Sequence, residues 1–298
     1  MAGIENPNDG QESSVSICPE GYFVSAAATG IPLLIGLLWI KKGLASEAIT
    51  GARRYVFFCG AIWTLTFTMA IPNSLKLSRD AGEGAAMSGW IISAMMFGVS
   101  AGAAVVWVYN LCLIDGSLKS MRVFNFAAAA FSMLGTTAYA TMAWTSSNAY
   151  ALVSARFIAG FGFGIAYFAG RFFINRTSHS SEIAELNTTY ALFIVCGMGF
   201  GPPFATIENG VFRFICGYMP PIGRGAEYQG MVECVLFLSI AAFAFPSSKD
   251  IHSRSTQKEN SDNAKTERQD NSTPHPHRVS MAVCAIIKTI RDFTIASP

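Results

Sequence analysis

Seven apolar stretches, each close to the length that spans a lipid bilayer, set what this chain can fold into. They run roughly over 23–40, 55–75, 88–114, 123–144, 149–174, 190–212 and 229–246. An α-helix rises about 1.5 Å per residue, so about 20 residues cross a hydrocarbon core of about 30 Å. No water reaches backbone N–H and C=O groups there, so a spanning segment must be helical or part of a closed barrel. Continuous apolar runs of this length read as helices. The expected fold is therefore all-α, a polytopic membrane helix bundle. Composition agrees: 13% of residues are charged, against about 25% in soluble domains. The net charge of +2 gives no basis for nucleic-acid binding.

The bundle is expected over 22–246. Residues 1–21 hold Glu5, Asp9, Glu12 and Glu20 with no Lys or Arg. They read as a disordered acidic tail, without the basic start of a cleavable signal. Residues 247–280 are polar and charged and read as a disordered cytoplasmic loop. Residues 281–298 turn apolar again, interrupted by Lys288, Arg291 and Asp292, and read as the start of an incomplete further helix.

Basic residues in short loops orient such a bundle. With the 41–54 loop inside, the inner side holds Lys41, Lys42, Arg53, Arg54, Lys119, Arg122, Arg171, Arg176, Lys249 and Arg254. The outer side holds only Lys76, Arg79, Arg213 and Arg224. The N-terminus is then outside. The sequons at Asn175, Asn187 and Asn271 fall inside and are expected to stay unmodified.

Cys59, Cys112, Cys196, Cys216, Cys234 and Cys284 lie in or beside apolar segments, without metal or disulfide spacing. They read as small packing residues. The histidines occupy polar segments, so no metal site and no cofactor is expected. No nucleophile–base pair appears, and an enzyme is not expected.

The 149–174 stretch carries Arg156, an ion that costs several kcal/mol at membrane depth unless it faces a bundle interior, a cavity or a partner. The alternative is that Arg156 snorkels to the outer interface. Gly160 and Gly164 follow at steps of four, placing a face without bulk beside it. The next stretch holds Gly197, Gly201, Pro202 and Pro203, where lost backbone donors predict a kink and hinge. Glu233 lies one turn into 229–246, where it faces a cavity or the outer interface, and Glu208 lies within reach of Arg213.

Arg156-Phe-Ile-Ala-Gly-Phe-Gly-Phe-Gly164 resembles the fourth-helix motif of the major facilitator superfamily, and Gly197-x-x-x-Gly201-Pro202 resembles its fifth-helix motif. The resemblance makes 55–246 the amino-terminal six-helix half of that fold, with 23–40 as one extra N-terminal span. It implies alternating-access transport of a small-molecule solute. Proton coupling, common in the family, stays open because no Asp or Glu within a span is a clear proton carrier. Arg156, Gly160, Gly164 and Glu233 would then line the path or couple the ion, and Gly197, Gly201 and Pro202 would form a hinge. Asp115, Lys119 and Arg122 fall where the family has its gating loop, though its leading glycine and Asp-Arg pair are missing. It also implies a carboxy-terminal half, or a second copy, to close the path. Two other readings are a seven-helix receptor-like protein and a non-transporting half-transporter scaffold. The plasma membrane and a vacuole- or lysosome-like organelle both suit such a chain.

Overall fold

The computed structural model describes residues 18–112, 120–145, 148–220, 223–243 and 245–246. Eight helices follow one another there: α1 (Pro19–Ser46), α2 (Ala48–Met69), α3 (Ser74–Asp80), α4 (Ala85–Cys112), α5 (Met121–Trp144), α6 (Ala149–Thr177), α7 (Ile183–Cys216) and α8 (Ala226–Phe243). No strand occurs among the described residues. Six of the helices are long and apolar enough to cross a membrane. The bent pair α2–α3 adds a seventh if counted as one span. The molecule is an integral, multi-pass helical bundle. The expectations for 247–280 and 281–298 lie outside the described residues.

Helix ends follow local chemistry. α1 starts earlier than the apolar run, at Pro19, so residues 19–21 are helical and do not belong to a disordered tail. Proline is preorganised for a first helical position, and Glu20 suits the positive end of the helix dipole. The Asn148 side chain accepts from the Tyr150 N–H and caps α6. Gly217 ends α7 at φ 76°, returning its N–H to the Arg213 carbonyl.

One expected span differs. The stretch 55–75 is broken: α2 stops at Met69, and the axis turns by 48° into α3. Pro72 lacks the N–H that would bond the Thr68 carbonyl, and it disfavours helix at Ile71. Ile71 N–H bonds Thr68 O at 3.2 Å instead. α7, by contrast, continues as a helix through Pro202 and Pro203.

α6 packs between α4 and α5, α2 packs along α7, and α8 joins α5 to α2. α1 lies against α2, α7 and α8. The α4–α6 contact is backbone to backbone. A Cβ on Gly98 or Gly102 would run into the Phe157 or Phe161 carbonyl. One on Gly160 or Gly164 would run into the Met95 or Val99 carbonyl.

Polar contacts gather at opposite ends. At one end Arg53 Nη2 donates to Thr177 O (2.9 Å) and lies 3.5 Å from Glu182, while Arg54 Nη1 donates to Trp39 O (2.9 Å). At the other, Cys18 and Cys216 form a disulfide with Cα atoms 6.1 Å apart. The expectation that Cys216 only packs is thus corrected. Its partner lies 198 residues away, so no local spacing could announce the bond. Cys59 and Cys234 are free and buried, as expected. Disulfides persist in oxidising compartments, and this one lies at the end that the basic-residue bias places outside.

Candidate functional site

The charges buried in this bundle lie toward the end that carries the Cys18–Cys216 disulfide. Arg156, in the third turn of α6, is 2% exposed, so it does not snorkel. Its Nη2 donates to Phe67 O at 3.0 Å. Phe67 is among the last residues of α2, whose carbonyls have no N–H ahead of them in the helix. Arg156 therefore caps the broken end of α2, and its charge complements the negative end of that helix's dipole. The guanidinium also lies over the Tyr139 ring, 4.7 Å from its centroid, and 5.8 Å from that of Phe67. Its Nε makes no hydrogen bond.

Around it lie groups that the sequence alone did not bring forward. Tyr139 of α5 and Tyr228 of α8 have ring centroids 5.9 Å apart, and both hydroxyls are buried without a hydrogen-bond partner. Beside Tyr228, Glu227 is 1% exposed and accepts from Asn73 Nδ2 of the α2–α3 turn. Asn209 Oδ1 of α7 accepts from Ala226 N–H at 3.0 Å, fixing the start of α8 against α7. The preceding residue, Glu208, is also 1% exposed. It accepts from Thr29 Oγ1 of α1, so it is not the partner of Arg213, which is exposed. Arg156, Glu208 and Glu227 share this layer without an ion pair between them.

The structure divides the residues expected from sequence. Gly160 and Gly164 serve the contact with α4, while the Arg156 side chain reaches α2 and α5. Gly197 and Gly201 admit α2: a Cβ there would strike Ala61 O and Thr64 Oγ1, or Thr68 Oγ1. Thr64 in turn donates to Ile194 O of α7 at 2.9 Å. Pro202 follows within the same helix. Glu233 is half-buried and accepts from Gln229 Nε2 at 2.9 Å. No hydrogen bond or ion pair joins it to Arg156. Arg122 is exposed, its guanidinium 5.6 Å from the Phe126 ring centroid, while Asp115 and Lys119 lie outside the described residues. No group of three or more His, Cys, Asp or Glu side chains placed to hold a metal ion is found among the described residues. An open apolar groove of about 520 Å³ lies between α4 and α6, lined by Trp90, Phe97, Val153 and Phe157 among others. None of the polar layer lines it.

Fold and site thus define a class: a multi-pass membrane bundle with ionisable groups of both signs enclosed at one level. No family model matches the chain, and no curated protein or solved structure matches it.

Proposed function

We propose that this protein moves a small solute across its membrane by alternating access, in the manner of the major facilitator superfamily that its Arg156 and Gly201-Pro202 motifs resemble. The observation that carries this reading is Arg156, fully enclosed and bonded to the end of a broken helix. Ionisable side chains at membrane depth are costly and mark solute or ion pathways. Discontinuous helices whose ends face a charge are a recurrent device of transport sites. Here the break at Pro72, the guanidinium and the Glu227–Asn73 contact occupy one level. The α4–α6 and α2–α7 seams are narrow, glycine-lined surfaces along which helices shift without losing contact. In this mechanism the bundle works against a second helical bundle, from further chain or from another copy, and solute passes between them.

The test is uptake by liposomes holding the purified chain, offered a panel of small solutes. A transported solute whose uptake falls at least about tenfold in Arg156→Ala, with folding intact, supports the proposal. Unchanged uptake in that variant removes Arg156 from the mechanism. Absence of uptake for every solute leaves the scaffold reading in its place.

A further inference from the structure

α1 lies outside the six-helix pattern, yet its inward face is chemically unlike the rest of it. Gly21, Ser25, Thr29 and Leu33 are buried at steps of four, while Phe23, Ile31, Leu34, Ile35 and Leu38 are exposed. The outer half of the buried stripe is small and polar. Small residues there let α1 approach its neighbours closely, and Ser25 and Thr29 add two buried hydroxyls to that face.

That stripe meets Glu208. Thr29 Oγ1 donates to Glu208 Oε1 and also lies 3.3 Å from Ser25 O. Glu208 Oε2 makes no hydrogen bond, and the carboxyl rests on Gly230 of α8, where any Cβ would overlap it. Ser25 Oγ is buried and also without a partner. Ser25 lies between two contacts of the same α1 face. One turn outward, Gln229 Nε2 of α8 reaches Tyr22 O at 3.4 Å; one turn inward is the Thr29–Glu208 bond. Its hydroxyl therefore belongs to the α1–α7–α8 seam that holds the carboxyl. Glu208 lies eight residues before Cys216, about 12 Å of helix rise from the outer end.

A carboxylate at this depth needs a compensating charge. Glu227, Glu233 and Cys234 of α8 lie near enough to act on it electrostatically, and Thr29 of α1 bonds it. Arg213, on its own helix, is exposed. No cation of the described chain pairs with it. The one hydroxyl bonded to the carboxyl is that of Thr29, and the unpartnered Ser25 hydroxyl lies one turn outward on the same buried face of α1. Oxygen donors with one negative charge suit a small hard cation.

We infer that Glu208, Thr29 and Ser25 form a site for a small monovalent cation, a proton or an alkali ion, at the junction of α1 with α7 and α8. The site is distinct from the Arg156 cap and accounts for the polar face of α1. Glu233, the carboxylate that the sequence singled out, is not its ligand. If the chain transports a solute, this is where its driving ion binds, and that consequence alone rests on the transport reading.

The test reads binding directly, on the purified full chain. Thermal unfolding is followed as Na⁺ or K⁺ replaces an organic cation at constant ionic strength. Separately, the carboxylic C=O band is followed by infrared difference spectroscopy over pH. An alkali-ion site gives an unfolding temperature that rises with one alkali ion. That dependence is lost in Glu208→Gln and kept in Glu233→Gln. A proton site gives no alkali dependence and a protonated-carboxyl band that disappears in Glu208→Gln. For an alkali-ion site Thr29→Val, which keeps the carboxyl and the packing, raises the half-saturating cation concentration by about tenfold. For a proton site it moves the pH midpoint of the carboxyl band by about one unit, because the lost hydroxyl donated to the carboxylate. Thr29→Val serves as the reporter if Glu208→Gln does not fold. Neither alkali dependence nor a band that Glu208→Gln removes overturns the inference. So does a dependence that survives both Glu208→Gln and Thr29→Val.

Discussion

The α4–α6 seam makes a quantitative demand on Gly160 and Gly164. A Cβ at either position would overlap a backbone carbonyl of α4, at Met95 or Val99. A side chain in the way can rotate; a carbonyl bonded within its own helix cannot, so α4 must move. Overpacking of this kind costs about 1–3 kcal/mol per site. Replacing Gly by Ala in a helix also brings a propensity gain of about 1 kcal/mol, which obscures the overlap. The structure supplies the control: a Cβ on Gly199 or Gly210, in α7, would meet nothing within 4 Å. Those positions receive the propensity gain without the overlap. The difference between Gly160→Ala or Gly164→Ala and Gly199→Ala or Gly210→Ala thus isolates the seam, at about 1–3 kcal/mol per site. Reversible unfolding in mixed micelles measures it. Equal stabilities in the two sets would refute a backbone-to-backbone seam.

Arg156→Met should keep stability within about 2 kcal/mol, because a flexible apolar chain of similar length replaces a desolvated ion. It should still abolish uptake; uptake that persists would reduce Arg156 to a structural cap. Loss of the Cys18–Cys216 bond in Cys18→Ser should destabilise the bundle by up to about 5 kcal/mol, from a closed loop with sequence separation 198. Chemical denaturation with and without reductant reads that loss. Lys42→Cys should react with a membrane-impermeant thiol reagent only from the inner side, and Lys76→Cys only from the outer side. Both positions are exposed and lie at opposite ends, so the reverse pattern would overturn the orientation.

Span existence was legible because a single scale, about 20 apolar residues per bilayer crossing, governs it. Helix length beyond the lipid was less so. α7 runs from Ile183 to Cys216 because polar turns such as Glu185–Thr189 continue a helix as readily as apolar ones. The glycines of α6 were recognisable as a packing face, but not that α4 would meet them with carbonyls. The break in α2 had a local signal in Pro72, near the end of an apolar run. Glu227 did not stand out, since it lies at a helix start where carboxylates are ordinary, and Glu208 was read only as a partner for Arg213. What makes them unusual comes from afar: Thr29 is 179 residues from Glu208, and Asn73 is 154 from Glu227. One clue was present, the Gly21–Ser25–Thr29 stripe in an otherwise apolar helix.

Arg156 and Pro72 explain each other. A proline at the end of a span leaves carbonyls of the preceding turn without donors, and in a lipid-enclosed bundle no bulk water replaces them. A buried guanidinium needs acceptors for the same reason. Bonding Arg156 to Phe67 O settles both costs with one contact, across two helices that otherwise touch little. The arrangement also couples their movements. Any tilt of α6 that withdraws Arg156 uncaps α2, and any straightening of the α2–α3 bend takes Phe67 O back into its helix and leaves the guanidinium unbonded. The Pro72→Ala substitution separates the two. It restores a donor to the α2 end and should straighten the bend. It should then weaken the hold on Arg156 without touching it, and uptake should fall with the arginine still in place. Wild-type uptake in Pro72→Ala would mean that the bend is incidental to the mechanism.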